Sequence, residues 1–204
     1  MRDVDNIRAV EKLNIDWMGF IFYSGSPRYV PEESAFCAAI QSCAKNRVGV
    51  FVNEQPMEIL RKIVKYQLNH VQLHGDETPN FCRRLRSAGC SIIKAFSVSS
   101  EKDLVQTAEY ETFADFFLFD TKSSERGGTG KRFDWTLLKA YQGDTPFLLS
   151  GGIAPENLEE LLAISHPKMV GIDLNSRFEQ SPALKDIIKI ENFVEQIRNA
   201  KNNE

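Results

Sequence analysis

Short apolar runs alternate with amphipathic helical patterns along almost the whole chain, and this alternation constrains the fold more than any other feature. Seven runs stand out, at residues 17–22, 48–52, 70–73, 92–96, 116–119, 147–149 and 170–174. Most lack the every-second-residue polarity of a half-exposed strand, so they suit strands covered on both faces. Strict alternation of such strands with helices predicts a parallel sheet with helical crossovers.

The helical patterns have their own signals. Residues 2–13 place Ile7, Val10 and Leu13 on one face. Pro31 is predicted to open the next helix, which carries Phe36, Ala39, Ile40 and Cys43. Pro56 opens one with Leu60, Ile63 and Val64 turned inward, and Pro79 another, since proline's missing N–H costs nothing in a first helical turn. Weaker patterns follow near 101–107 and 134–138. Pro155 opens one with Leu158, Leu161 and Leu162, and the last places Ile187, Ile190, Phe193, Val194 and Ile197 on one face. A loop is predicted to lead into that last helix. The count is eight helices against seven strands, and the chain opens on a helix. A (β/α)8 TIM barrel needs a strand before each helix. The expectation is therefore a single α/β domain over residues 1–204, a TIM barrel with its first strand missing from this chain. An open Rossmann-type sheet is the alternative, but no Gly-x-Gly-x-x-Gly follows a strand.

Composition removes several classes of function. A net charge of −3 offers no basic surface to nucleic acid or an anionic membrane. The apolar runs are too short to span a bilayer, and no signal-peptide pattern opens the chain. The four cysteines, Cys37, Cys43, Cys82 and Cys90, show no Cys-x-x-Cys spacing. A reduced cytoplasmic protein without a zinc site is the simplest expectation.

Barrels of this type carry their chemistry at the C-terminal ends of the strands. Asp120 follows Phe116-Phe117-Leu118-Phe119 at such an end. A carboxyl group there suits general-acid work, because partial desolvation favours the neutral form. The alternative is a helix cap or an ion-pair partner for Lys122 or Arg126. Gly151 and Gly152 end the next run, before the helix at Pro155. Glycine backbone beside free helical N–H groups makes an anion cradle, and the alternative is a tight turn needing positive φ. Asn175 and Ser176, one loop later, supply further donors. Gly127-Gly128-Thr129-Gly130-Lys131 fails as a P-loop, with Glu125 where glycine is required and Arg132 in place of Ser/Thr. It reads instead as a loop over the site. Arg28 offers a planar fork to a carboxylate, or forms a surface salt bridge. His74, also at a strand end, is either structural or functional.

Several blocks together resemble one family. They are Gly19-Phe-Ile-Phe-Tyr23, Ser26-Pro-Arg-Tyr-Val30, Arg47-Val-Gly-Val-Phe-Val-Asn53, Val71-Gln-Leu-His-Gly-Asp76, Phe119-Asp-Thr121, Gly127-Gly-Thr-Gly-Lys131, Phe133-Asp-Trp135, Leu149-Ser-Gly-Gly-Ile153 and Pro155-Glu-Asn157. In this order they resemble phosphoribosylanthranilate isomerase of tryptophan biosynthesis. The resemblance implies a cofactor-free, metal-free (β/α)8 barrel and a small phosphoribosyl substrate, rearranged by Amadori chemistry from N-(5′-phosphoribosyl)anthranilate. It implies Asp120 as the general acid and Arg28 as the holder of the anthranilate carboxylate. Gly151, Gly152, Asn175 and Ser176 match the phosphate site, and His74 and Gly128 join the substrate-binding set.

The family's general base is a cysteine in a Lys-x-Cys-Gly block ending the first strand. No such block occurs in this sequence, and the helical patterns around the four cysteines bar them from replacing it. The 204-residue form is therefore expected to be impaired, with Met1 read as an internal methionine of a longer chain. Other readings are a barrel for a different phosphosugar, or a non-catalytic scaffold. Strand edges at 17–22 and 170–174 are expected to lie bare, inviting a homodimer or aggregation. Arg177, where relatives have glycine, either crowds the phosphate loop or adds a cation to it.

Overall fold

The computed structural model describes residues 1–121 and 134–202. In chain order its elements are α1 (Val4–Glu11), β1 (Trp17–Ile21), α2 (Ser34–Gln41), β2 (Asn46–Phe51), α3 (Pro56–Tyr66), β3 (His70–Leu73), α4 (Pro79–Ser87), β4 (Ser91–Val98), α5 (Glu101–Val105), β5 (Phe116–Thr121), β6 (Phe147–Leu149), α6 (Leu158–Leu162), β7 (Met169–Ile172), β8 (Glu179–Ser181), β9 (Leu184–Lys185) and α7 (Ile187–Asn202). The pattern at 101–107 is α5 continued by a 3-10 turn at Gln106–Tyr110, that at 134–138 is a 3-10 turn at Trp135–Ala140, and a third 3-10 turn, Pro155–Asn157, precedes α6. Two compact units emerge, Met1–Asp76 with Phe178–Glu204, and Glu77–Arg177.

In the first unit β1, β2 and β3 pair in parallel, with Phe20 opposite Gly49 and Val50 opposite Gln72. Asp3 caps α1 by accepting from the Asn6 N–H at 2.7 Å. Ile7, Val10 and Leu13 are buried as expected. Two expectations need correction. Pro31 does not open α2, which begins at Ser34. The Val30 N–H donates to the Ile21 carbonyl at 2.9 Å, holding Tyr29 and Val30 extended along β1 and delaying the helix. On α3 the buried face is Ile59, Lys62 and Tyr66, while Val64 is 79% exposed. The inward face is rotated because Lys62 lays its apolar stem inside, with its ammonium 5.2 Å from the Phe22 ring centre and 3.7 Å from Glu32. The loop expected before α7 contains the antiparallel pair β8–β9.

In the second unit β4, β5, β6 and β7 pair in parallel in chain order. An aromatic cluster holds one face of β5. Phe119 lies 4.8 Å from Phe147 and 5.2 Å from Tyr141, and Phe117 lies 5.1 Å from Phe96, edge to face. Strand alternation then sends Leu118 and Asp120 to the opposite face. On α6, Leu161 is buried but Leu162 is exposed, contrary to its expected inward position. No helix among the described residues is long and apolar enough to cross a membrane.

Candidate active site

The second unit brings an acid against a glycine turn. Asp120 sits half-buried in the last turn of β5, opposite Ser97 of β4, and its Oδ1 accepts from the Thr121 N–H at 2.7 Å. The neighbouring strand ends at Leu149, and the Ser150 N–H donates back to the Phe119 carbonyl at 2.8 Å. The chain then turns through Gly151 and Gly152, with φ of 81° and 71°. Those angles belong to the region that L side chains rarely adopt. A Cβ on Gly151 would lie 2.5 Å from Asp120 Oδ1 and 2.6 Å from the Thr121 nitrogen. The acid and the turn are thus in contact, and only glycine fits between them.

Side chains on either flank brace this turn. Asn157 Nδ2 donates to the Gly152 carbonyl at 2.8 Å, and its Oδ1 accepts from the Ala154 N–H at 3.0 Å. The Ser150 hydroxyl donates to Asp173 Oδ2 at 3.2 Å, tying the end of β6 to the residue after β7. Asn175 and Ser176 follow, half-buried, and Ser176 opens a single 3-10 turn. Arg177 is exposed. Gly128 and the rest of its glycine-rich loop lie outside the described residues.

The first unit holds the other predicted groups. His74 follows β3, and its Nδ1 is 3.0 Å from the amide nitrogen of buried Gln72. Close by, Asn53 adopts φ 52° after β2, and its Oδ1 accepts from the Asp76 N–H at 2.7 Å. A Cβ on Gly75 would collide with that Asn53 side chain.

Arg28 is buried rather than displayed on the surface, and it has a partner that no sequence pattern announces. Its Nε lies 3.0 and 2.9 Å from the two carboxylate oxygens of Glu179, and Nη2 lies 2.7 Å from Oε2. Glu179 also takes the Lys185 ammonium at 3.2 Å and the Ala183 N–H at 3.2 Å. Burial alone would raise the Glu179 pKa, but the Arg28 hydrogen bonds and the Lys185 charge outweigh it and hold it below 4.5. The Met1 amino group is close enough to feel the same charges. Burial first, and then Lys185, lowers it to about 5.

None of the four cysteines lies at the C-terminal end of a strand. Cys37 is on α2, and Cys43 lies just beyond it with its sulfur 3.3 Å from Met18 Sδ. Cys82 is on α4 and Cys90 follows it. Burial raises the pKa of Cys43 and Cys90, and takes Cys82 to about 11. Among the described residues no group of three His, Cys, Asp or Glu side chains could hold a metal ion.

Comparison with known proteins extends this geometry. Residues 1–196 match the family model described as N-(5′-phosphoribosyl)anthranilate (PRA) isomerase. A relative from Phocaeicola vulgatus named N-(5′-phosphoribosyl)anthranilate isomerase is 49% identical, covering 97% of this chain and 95% of its own length. The crystal structure of phosphoribosyl anthranilate isomerase from Thermus thermophilus superposes with a TM-score of 0.84 at 28% identity, over 98% of this chain and 96% of that one. A phosphoribosyl anthranilate isomerase in complex with reduced 1-(o-carboxyphenylamino)-1-deoxyribulose 5-phosphate superposes at 0.77 with 31% identity, over 99% and 95%. These likenesses place the fold in the (β/α)8 barrel class, as the alternation of strands and helices led one to expect.

Proposed function

The chain belongs to the N-(5′-phosphoribosyl)anthranilate isomerase family, and from that premise we propose how its residues divide the chemistry. Members of the family are isomerases of tryptophan biosynthesis, and the substrate is a small phosphoribosyl molecule. The reaction is an Amadori rearrangement of N-(5′-phosphoribosyl)anthranilate to 1-(2-carboxyphenylamino)-1-deoxyribulose 5-phosphate. Asp120 gives its proton to the furanose ring oxygen. The bond from that oxygen to C1′ breaks as the anilino nitrogen forms a double bond to C1′. A base then removes the C2′ proton, and the resulting enolamine tautomerises to the ketone. The sum is an isomerisation, so no external oxidant or reductant is consumed.

The observation that carries this reading is the contact between Asp120 and Gly151. It sets a proton donor beside a backbone turn suited to phosphate, which Gly152, Asn175 and Ser176 complete; Gly128 joins the substrate-binding set by the family resemblance alone. By the same resemblance, Arg28 receives the anthranilate carboxylate and His74 belongs to the substrate-binding set. By the family resemblance the base is a cysteine thiolate, and none of the four cysteines of residues 1–204 lies at the C-terminal end of a strand. The Met1 nitrogen lies within reach of the Arg28 and Glu179 charges. The four reduced cysteines support a cytoplasmic setting. Association of two chains along the β1 or β7 edge is the expected assembly of residues 1–204.

Two measurements test the reading. Arg28→Ala is expected to weaken binding of the reduced product analogue at least about tenfold while sparing ribose 5-phosphate. Equal loss for both ligands would point to a different phosphosugar. Asp120→Asn, in a chain to which a strand ending in Lys-x-Cys-Gly has been added ahead of Met1, is expected to lower kcat by about 10²–10⁴-fold with little change in analogue affinity. Unchanged turnover would remove Asp120 from the acid role.

A further inference from the structure

We propose that Glu179 is a positioning residue for substrate recognition, clamping the Nε edge of Arg28 so that the Nη1 edge is presented to the anthranilate carboxylate. The proposal deepens, and rests on, the reading of Arg28 as the carboxylate holder.

A guanidinium can grip a carboxylate by two forks, one made of Nε and one Nη, the other of both Nη groups. Glu179 fills the first fork through Nε and Nη2, at 2.7–3.0 Å. Among the described residues Nη1 has no acceptor, although the Arg28 side chain is only 8% exposed. Glu179 is in turn fixed from behind. Its side chain is 3% exposed and bonds Lys185 of β9 and the backbone of Ala183, which sits at φ 73° in the β8–β9 turn. A guanidinium held on one edge cannot swing, so the other edge meets an incoming anion without first losing rotamer freedom. The β8–β9 hairpin, which carries none of the acid or phosphate groups, thereby sets the aim of a binding residue far away in sequence.

The test is calorimetric titration of the full chain with two probes. Reduced 1-(o-carboxyphenylamino)-1-deoxyribulose 5-phosphate carries the aromatic carboxylate, and ribose 5-phosphate lacks it. Glu179→Gln keeps the shape but weakens the clamp. It is expected to weaken binding of the first probe about tenfold or more and to leave the second within ~2-fold. The double variant Arg28→Ala with Glu179→Gln should bind the first probe no more weakly than Arg28→Ala alone. Intact ribose 5-phosphate binding reports an intact fold. Should Glu179→Gln not fold, Glu179→Asp, which keeps the charge but withdraws it by one methylene, carries the same expectation. A selective effect of Arg28→Ala beside an indifferent or unselective Glu179→Gln overturns the proposal alone. An Arg28→Ala variant that weakens both probes equally overturns the reading of Arg28 and the proposal with it.

Discussion

Under the proposed division of roles, Gly151 is where proton transfer and phosphate binding meet. Its φ of 81° and the short approach to Asp120 and the Thr121 nitrogen leave no room for a methyl group. Gly151→Ala is expected to cost about 1–3 kcal/mol of stability through backbone strain. It should also weaken ribose 5-phosphate binding, because the turn can relax only by pushing Asp120 or Thr121 aside. Denaturant unfolding and titration of the phosphate ligand check both effects. A tightly binding, fully stable Gly151→Ala would mean that the turn is not the cradle. Asp120 and the glycine pair were readable in the sequence because an apolar run ending in one polar residue is a local pattern. The bracing contacts of Asn157 and Asp173 were not readable in the same way, since an asparagine or aspartate near a strand end has many ordinary uses.

Elements show where periodicity misleads. Apolar residues on α3 fit an inward face at Leu60, Ile63 and Val64, yet the helix buries Ile59, Lys62 and Tyr66. Ile59→Ala, at a fully buried position, is expected to cost about 2–5 kcal/mol. Val64→Lys should change stability by less than about 0.5 kcal/mol. Thermal melts of the two variants distinguish the faces, and the reverse order would contradict the observed rotation. The β8–β9 hairpin adds a pH signature. Glu179 is held below 4.5, so its stabilising contribution is complete above that value and is lost as pH falls through its lower folded pKa. Acid unfolding of Glu179→Gln is therefore expected to show a shallower fall in stability below pH 4.5 than the parent. Parallel curves would assign the cluster no such role.

For the molecule as a whole, the proposed reaction turns on a general base. The polypeptide of residues 1–204 is expected to turn over slowly, since burial favours the neutral thiols of Cys43, Cys82 and Cys90 and none of its cysteines ends a strand. Joining a strand that ends in Lys-x-Cys-Gly should raise kcat by about 10²–10⁴-fold, the usual reach of general acid–base catalysis. It also converts the buried Met1 amine into an amide, removing a group whose charged form the fold disfavours. Ordinary enzyme rates from residues 1–204 alone would show that the base lies elsewhere in the chain. Light scattering on the two forms tests whether the added strand also abolishes association.

The sequence by itself determined the alternation of strand and helix, the parallel pairing, and the short roster of strand ends where chemistry can sit. These depend on spacing within a few residues, which the amino-acid order writes directly. The tertiary structure alone decided that α2 waits until Ser34, that α3 buries a lysine stem, and that Arg28 meets a glutamate 151 residues away. Each of those outcomes depends on which surface another segment brings to the same place. That is settled by packing and register, and no window of neighbouring residues contains it.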